Sequence, residues 1–141
     1  MSFIERGRDH ALALFRIVVG LLFACHGAQK LFGFLTTNPA VSVTNWPTGP
    51  AGVIEIVGGL LIMIGLGTRI AALIASGSMA YAYFSVHQSH GLMPIENAGE
   101  LAAVYAWVFL LLVFTGPGAW AVDKVLAARR ANASASELQP A

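Results

Sequence analysis

Four long apolar stretches dominate this chain: about Ala11 to Phe32, Pro50 to Gly67, Ile70 to about His87, and about Ala98 to Thr115. A helix of about 20 mainly apolar residues matches the hydrocarbon core of a bilayer. The pattern predicts an all-α polytopic membrane protein, a bundle of four transmembrane helices. Composition agrees: 57% of the 141 residues are hydrophobic and 11% charged. A soluble domain carries roughly 25% charged residues, because water must solvate its surface.

Turn and breaker residues separate the stretches. Thr36-Thr37-Asn38-Pro39 and Trp46-Pro47-Thr48-Gly49-Pro50 follow the first, where Thr48 or Gly49 can cap a helix with Pro50 in its first turn. Thr68-Arg69 divides the second from the third, and Gly116-Pro117-Gly118 stops the fourth. Residues 1–128 are expected to form one transmembrane domain. Residues 129–141, rich in Ala, Ser and Asn, are expected to be a disordered cytoplasmic tail. The first stretch is too long for the apolar region of a cleavable signal and is expected to be a span.

Basic residues orient the bundle. Arg6 and Arg8 precede the first stretch, Arg69 lies between the second and third, and Lys124, Arg129 and Arg130 follow the fourth. The segments 33–49 and 88–97 hold no Lys or Arg. Loops enriched in Lys and Arg stay in the cytoplasm, so both termini are expected there. Only Lys30, at the outer end of the first span, runs against the count. A net charge of +1 and the lack of a basic stripe give no case for nucleic acid. Cys25 is the only cysteine, so neither an internal disulfide nor dithiol exchange is available. Ala72, Ser76 and Ala80 form a small-residue stripe, and with Gly58 and Gly59 it predicts close packing of spans two and three.

Ionisable residues inside apolar spans carry the most information. His26, Lys30, Glu55, His87 and Glu100 all fall toward the outer face, and they come from all four spans. Stepping about 100° per residue places His26 and Lys30 on one face of span one, Glu55 beside Gly52, Gly58 and Gly59, and His87 beside Ala72, Ser76 and Ala80. The five are expected to converge on one outer cavity as a ligand- or proton-handling cluster. A charge inside a span costs about 2.5–3.5 kcal/mol on insertion scales, so it must pair, reach water or perform a task. Lys30 can pair with one carboxylate, which leaves the other for a ligand or a proton. The competing reading is an interhelical network that only fixes bundle register.

Arg16, Arg69 and Asp123 lie near the cytoplasmic boundary and are assigned to structural pairing, with Arg16 snorkelling and Asp123 meeting Arg69 or Lys124. His87-Gln-Ser-His90 is half of a metal site at most, so no metal site is assigned. Trp46 and Trp107 are read as interface and bundle aromatics.

In order along the chain run Arg16-x3-Gly20-x5-His26-Gly27-x2-Lys30, Glu55-x2-Gly58-Gly59, Gly65-x2-Thr68-Arg69, Glu100-x4-Tyr105 and Gly116-Pro117-Gly118-x4-Asp123. This ordered set resembles the DoxX family of small bacterial membrane proteins, named for a membrane subunit of a quinone-linked sulfur-oxidising oxidoreductase. The resemblance implies a bacterial inner-membrane protein, and a quinone-interacting subunit or accessory of a redox complex. Quinone is the implied cofactor; the implied partners are the lipid bilayer, a redox protein carrying the electrons and, as a further candidate, a second copy of the chain. No haem, flavin or iron–sulfur motif is present in the sequence, so catalytic residues are left unassigned. A non-enzymatic membrane scaffold for partner proteins and a small-molecule carrier stay open as alternatives.

Overall fold

The computed structural model describes residues 3–137, which form five helices and no strand. They are α1 (Phe3–Phe32), α2 (Thr48–Ile64), α3 (Thr68–Ala82), α4 (Glu100–Thr115) and α5 (Val122–Glu137). Beyond Ala82 the chain of α3 continues through a π-helical turn, Tyr83–His87, and a 3-10 turn, Gln88–His90. Gly7–Phe32 and Thr68–His90 are long and apolar enough to cross a membrane; α2 and α4 are apolar but shorter, at 17 and 16 residues. At 1.5 Å per residue those two reach about 24–26 Å.

The tail departs from expectation. Instead of being disordered from Arg129, it is helical through Glu137 as part of α5; residues 138–141 lie outside those described. Ala127, Ala128, Ala131, Ala133 and Ala135 have the highest intrinsic helix propensity, which outweighs the interspersed Ser and Asn.

Backbone-to-backbone packing joins α1 to α2. A Cβ on Gly20 would stand 2.7 Å from the Gly59 carbonyl oxygen, and one on Gly59 would stand 2.6 Å from the Gly20 oxygen and the Ala24 nitrogen. Without side chains at these points the two helices come together along their length. The small residues of α3 turn elsewhere. Ser76 Oγ donates to the Ala106 carbonyl of α4 at 2.8 Å, and Ala80 lines the same seam. The predicted close packing of spans two and three through these residues is therefore corrected: Gly59 faces α1, and Ser76 and Ala80 face α4. Where α1 meets α4 the filling is aromatic, with Phe23 4.6 Å from Phe109 and 5.3 Å from Tyr105, ring centre to ring centre. Phe23, Phe109, Ile62, Ala72, Ala75 and Leu112 form the buried centre.

Candidate functional site

The first two helices set the site. Gly27 and Gly52 bring α1 and α2 together near their shared end, which places Lys30 and Glu55 side by side as an ion pair. The partners are unequal. Lys30 keeps 34% of its side-chain exposure, whereas Glu55 keeps 2%. Glu55 Oε1 accepts from Lys30 Nζ, but buried Oε2 has no hydrogen-bond partner. A buried carboxylate oxygen without a donor is costly and uncommon. Glu55 lines a cavity of about 240 Å³ together with His26, Lys30, His87 and Tyr105.

His87 reaches this cavity through the π turn, which widens the helix at the end of α3. Its Nδ1 lies 3.1 Å from the Asn97 carbonyl oxygen. A carbonyl only accepts, so Nδ1 is the donor in this bond, which leaves Nε2 free to meet other groups. Asn97 is itself buried and anchored: its Nδ2 donates to the Gly91 oxygen at 2.8 Å, and its Oδ1 accepts from the Gly99 N–H at 2.8 Å. Gly99 allows the approach, since a Cβ there would stand 2.8 Å from the His87 Cβ. His26 meets Tyr105 edge to face at 5.9 Å.

Four of the five predicted residues thus share one cavity. Glu100 does not. It opens α4 as an exposed side chain beside Met93, Ala103 and Trp107, on a different face from Tyr105. Helical steps of 100° put Glu100 and Tyr105 well over a quarter-turn apart, and the buried one takes the cavity. Tyr105 and Asn97 were missed as site residues. The signal for Tyr105 was its place five residues after Glu100 within an apolar helix; Asn97 showed itself only as a polar residue just before one.

A second cavity, about 380 Å³, lies along the groove between α2 and α3 and shares Lys30, Ala82 and His87 with the first. Among the described residues no group of three or more His, Cys, Asp or Glu side chains is placed to hold a metal ion.

The opposite end differs from expectation. Arg16 does not snorkel; it is fully buried. Its Nε donates to the Pro117 oxygen at 2.8 Å, Nη1 to Ile62 and Met63 at 2.6 and 2.5 Å, and Nη2 to Ala119 and Trp120 at 3.4 and 3.2 Å. Asp123 meets neither Arg69 nor Lys124. Its carboxylate caps α3, accepting from the Gly67 N–H at 2.8 Å and from the Thr68 N–H and hydroxyl at 3.0 Å each. Burial alone would raise the Asp123 carboxyl, but these donors and the nearby Arg16 charge hold it below the ordinary range. Arg69 donates to the Val113 and Phe114 carbonyls at the end of α4, and Lys124 pairs with Asp9 at 2.7 Å. Backbone carbonyls and N–H groups at helix ends are the partners that pairing by charge sign overlooked.

Large apolar side chains such as Leu14, Val18, Leu73 and Leu111 cover the outside, while an ion pair and a fully buried arginine lie within. That is the arrangement of a helical membrane protein. The chain belongs to the DoxX family, whose model matches residues 11–88. It is 44% identical over 133 residues to a Haemophilus influenzae protein without a functional name, covering 87% of this chain and 96% of that one. It is 30% identical to the inner membrane protein YqjF of Escherichia coli, over 87% of this chain and 97% of that one. CatD of Bacillus subtilis, named as a proposed oxidoreductase, is 26% identical over 87% of this chain and 92% of its own. No solved structure matches the chain.

Proposed function

We propose that this protein is a quinone-interacting membrane subunit or accessory of a redox complex, whose polar cavity receives a quinone head. The carrying observation is Glu55, whose Oε2 is buried without a protein partner and which lines a cavity with His26, Lys30, His87 and Tyr105. A network that only fixes bundle register is expected to pair its buried oxygens. A quinone supplies the uptake of two electrons and two protons to give the quinol, with electrons delivered by a partner protein. The residues suit the rest. Lys30, His26 and Tyr105 carry donors for carbonyl oxygens, while Glu55 Oε2 and His87 Nε2 accept and pass protons. The name of the Bacillus relative agrees with redox work.

The orientation that goes with this reading is four spans with both ends in the cytoplasm and the cavity toward the outer side. Support comes from Lys124–Asp9 and from the Ala119 N–H bound to the Asp9 oxygen at 2.9 Å, which hold the starts of α1 and α5 together. An even number of crossings brings them to one side. Arg8, Arg69, Lys124, Arg129 and Arg130 fall in the sequence segments this reading puts there, and the segments 33–49 and 88–97 carry no Lys or Arg.

The test is titration of the protein in nanodiscs with ubiquinone-1, followed by tryptophan fluorescence. Wild type is expected to bind saturably, and Glu55→Gln to weaken binding at least about tenfold, as loss of a charged hydrogen-bonding group does. No saturable binding by wild type would sink the quinone reading. The open groove favours a second reading, a small-molecule carrier, which would show binding of non-redox amphiphiles with equal affinity.

A further inference from the structure

The groove between α2 and α3 lies against the polar cavity. The two share Lys30, Ala82 and His87 in their linings, and the rest of the groove is mostly apolar, with Pro50 and Ile54 on one side and Ile74 and Val86 on the other. Trp46, from the loop before α2, and Tyr81, from α3, both line it and meet edge to face at 5.9 Å, bridging its two sides. Tyr81 and Ile74 face outward from the bundle, so the groove opens sideways, toward where lipid would lie. A polar, incompletely satisfied chamber thus stands beside a lateral apolar slot, with Lys30, Ala82 and His87 common to both.

We infer that the α2–α3 groove holds the apolar chain of the same molecule whose head enters the polar cavity, so the ligand is a long-tailed amphiphile admitted from the bilayer. This rests on the proposed quinone reading and narrows it to quinones with their tails attached. Two features select this occupant. The groove ends at Lys30 and His87, which give a membrane lipid's hydrocarbon chain nothing to meet but which suit a polar head passing inward. The two cavities, about 240 and 380 Å³, fall together in the size range of small-molecule sites, about 300–1,000 Å³, whereas the polar one alone falls short of it. A water-soluble ring would need no lateral slot.

The experiment compares two probes on two proteins in nanodiscs of one composition: ubiquinone-1 and decylubiquinone, each against wild type and Ser78→Phe. Ser78 is half-buried in the groove and does not line the polar cavity. Because both proteins sit in the same bilayer, partitioning of the longer probe cancels, and the change in the affinity ratio reads the groove. Ser78→Phe is expected to weaken decylubiquinone at least about tenfold, the loss when as few as two methylenes lose their apolar cover. Ubiquinone-1 is expected to change less than about twofold. Ala51→Leu, filling the groove from α2, keeps the test alive if Ser78→Phe does not fold. Equal loss of both probes, or loss of neither, overturns the tail site. Failure of wild type to bind ubiquinone-1 or decylubiquinone instead overturns the quinone reading on which it rests.

Discussion

Arg16 and Glu55 are both sealed from solvent, at 0% and 2% exposure, in helices that pack against each other. Their surroundings differ in kind. Around Arg16, five carbonyls from the end of α2 and the segment 117–120 receive every arm of the guanidinium. Asp123 and Arg69 finish the same end by capping α3 and the last turn of α4. Around Glu55, one oxygen is paired and the other is not, and a polar cavity lies beside it. The first end spends its charges closing the backbone of the fold, and the second holds one in reserve. In a bilayer neither charge can be excused as surface decoration, and the proposed function rests on this contrast.

The contrast breaks most readily at Arg16. Arg16→Leu strips a donor set from five carbonyls, and a single buried group left unsatisfied costs about 1–3 kcal/mol. We expect loss of stable fold, or at least about 4 kcal/mol of destabilisation, read as thermal unfolding in detergent. A melting curve like wild type's would show that water replaces the guanidinium and that this end is not closed after all. Next comes the seam that both ends share. Gly59→Val forces the α1 and α2 backbones apart, since even a Cβ falls 2.6 Å from the Gly20 oxygen, and overpacking costs about 1–3 kcal/mol. Helices that tolerate it at full stability would place the close approach elsewhere.

Asp123 sharpens the comparison through pH. Its folded carboxyl titrates below the ordinary value, so its contribution is present above the unfolded value near pH 4 and fades as pH falls through the folded one. Asp123→Ala is expected to cost about 1 kcal/mol at neutral pH, as loss of a helix cap does. The gap from wild type should narrow below about pH 4. A gap constant down to strong acid would mean that the carboxylate charge contributes nothing to the cap.

How far the sequence revealed these two ends follows from what each uses. The apolar stretches, their breakers and the gathering of His26, Lys30, Glu55 and His87 were legible, because helical period and depth fix which side chains share a level and a face. The partners of Arg16, Arg69 and Asp123 were not, because those residues bind backbone atoms of distant helix ends, and backbone groups leave no signature in residue identity. Glu100 was misplaced for a related reason. Depth alone put it with the cluster, while its helical phase put Tyr105 there instead. His87 arrived as expected, but through a π turn that the 3.6-residue period does not describe. The helical tail was hidden by Ser and Asn among its alanines.

The smallest expected effect on the fold is also the one that decides the use of the reserved charge. Glu55→Gln keeps the shape of the side chain and removes its charge. Lys30 then loses its counter-charge, but with 34% of its side chain exposed it can turn its ammonium toward the polar boundary, as lysines at membrane edges do. The burden of a buried, half-satisfied carboxylate disappears in the same step. The two changes oppose each other, so stability should move by less than about 1 kcal/mol, far below what Arg16→Leu costs at the other end. Binding of ubiquinone-1 should nonetheless fall, and any pH dependence of that binding carried by Glu55 should vanish, because an amide neither gains nor releases a proton. The measurement is therefore a pair: the melting temperature and the binding curve of the same preparation across pH. Should Glu55→Gln melt as early as Gly59→Val while binding falls only with the folded fraction, Glu55 is a register-fixing charge like those at the Arg16 end, and the difference between the two ends is one of geometry alone.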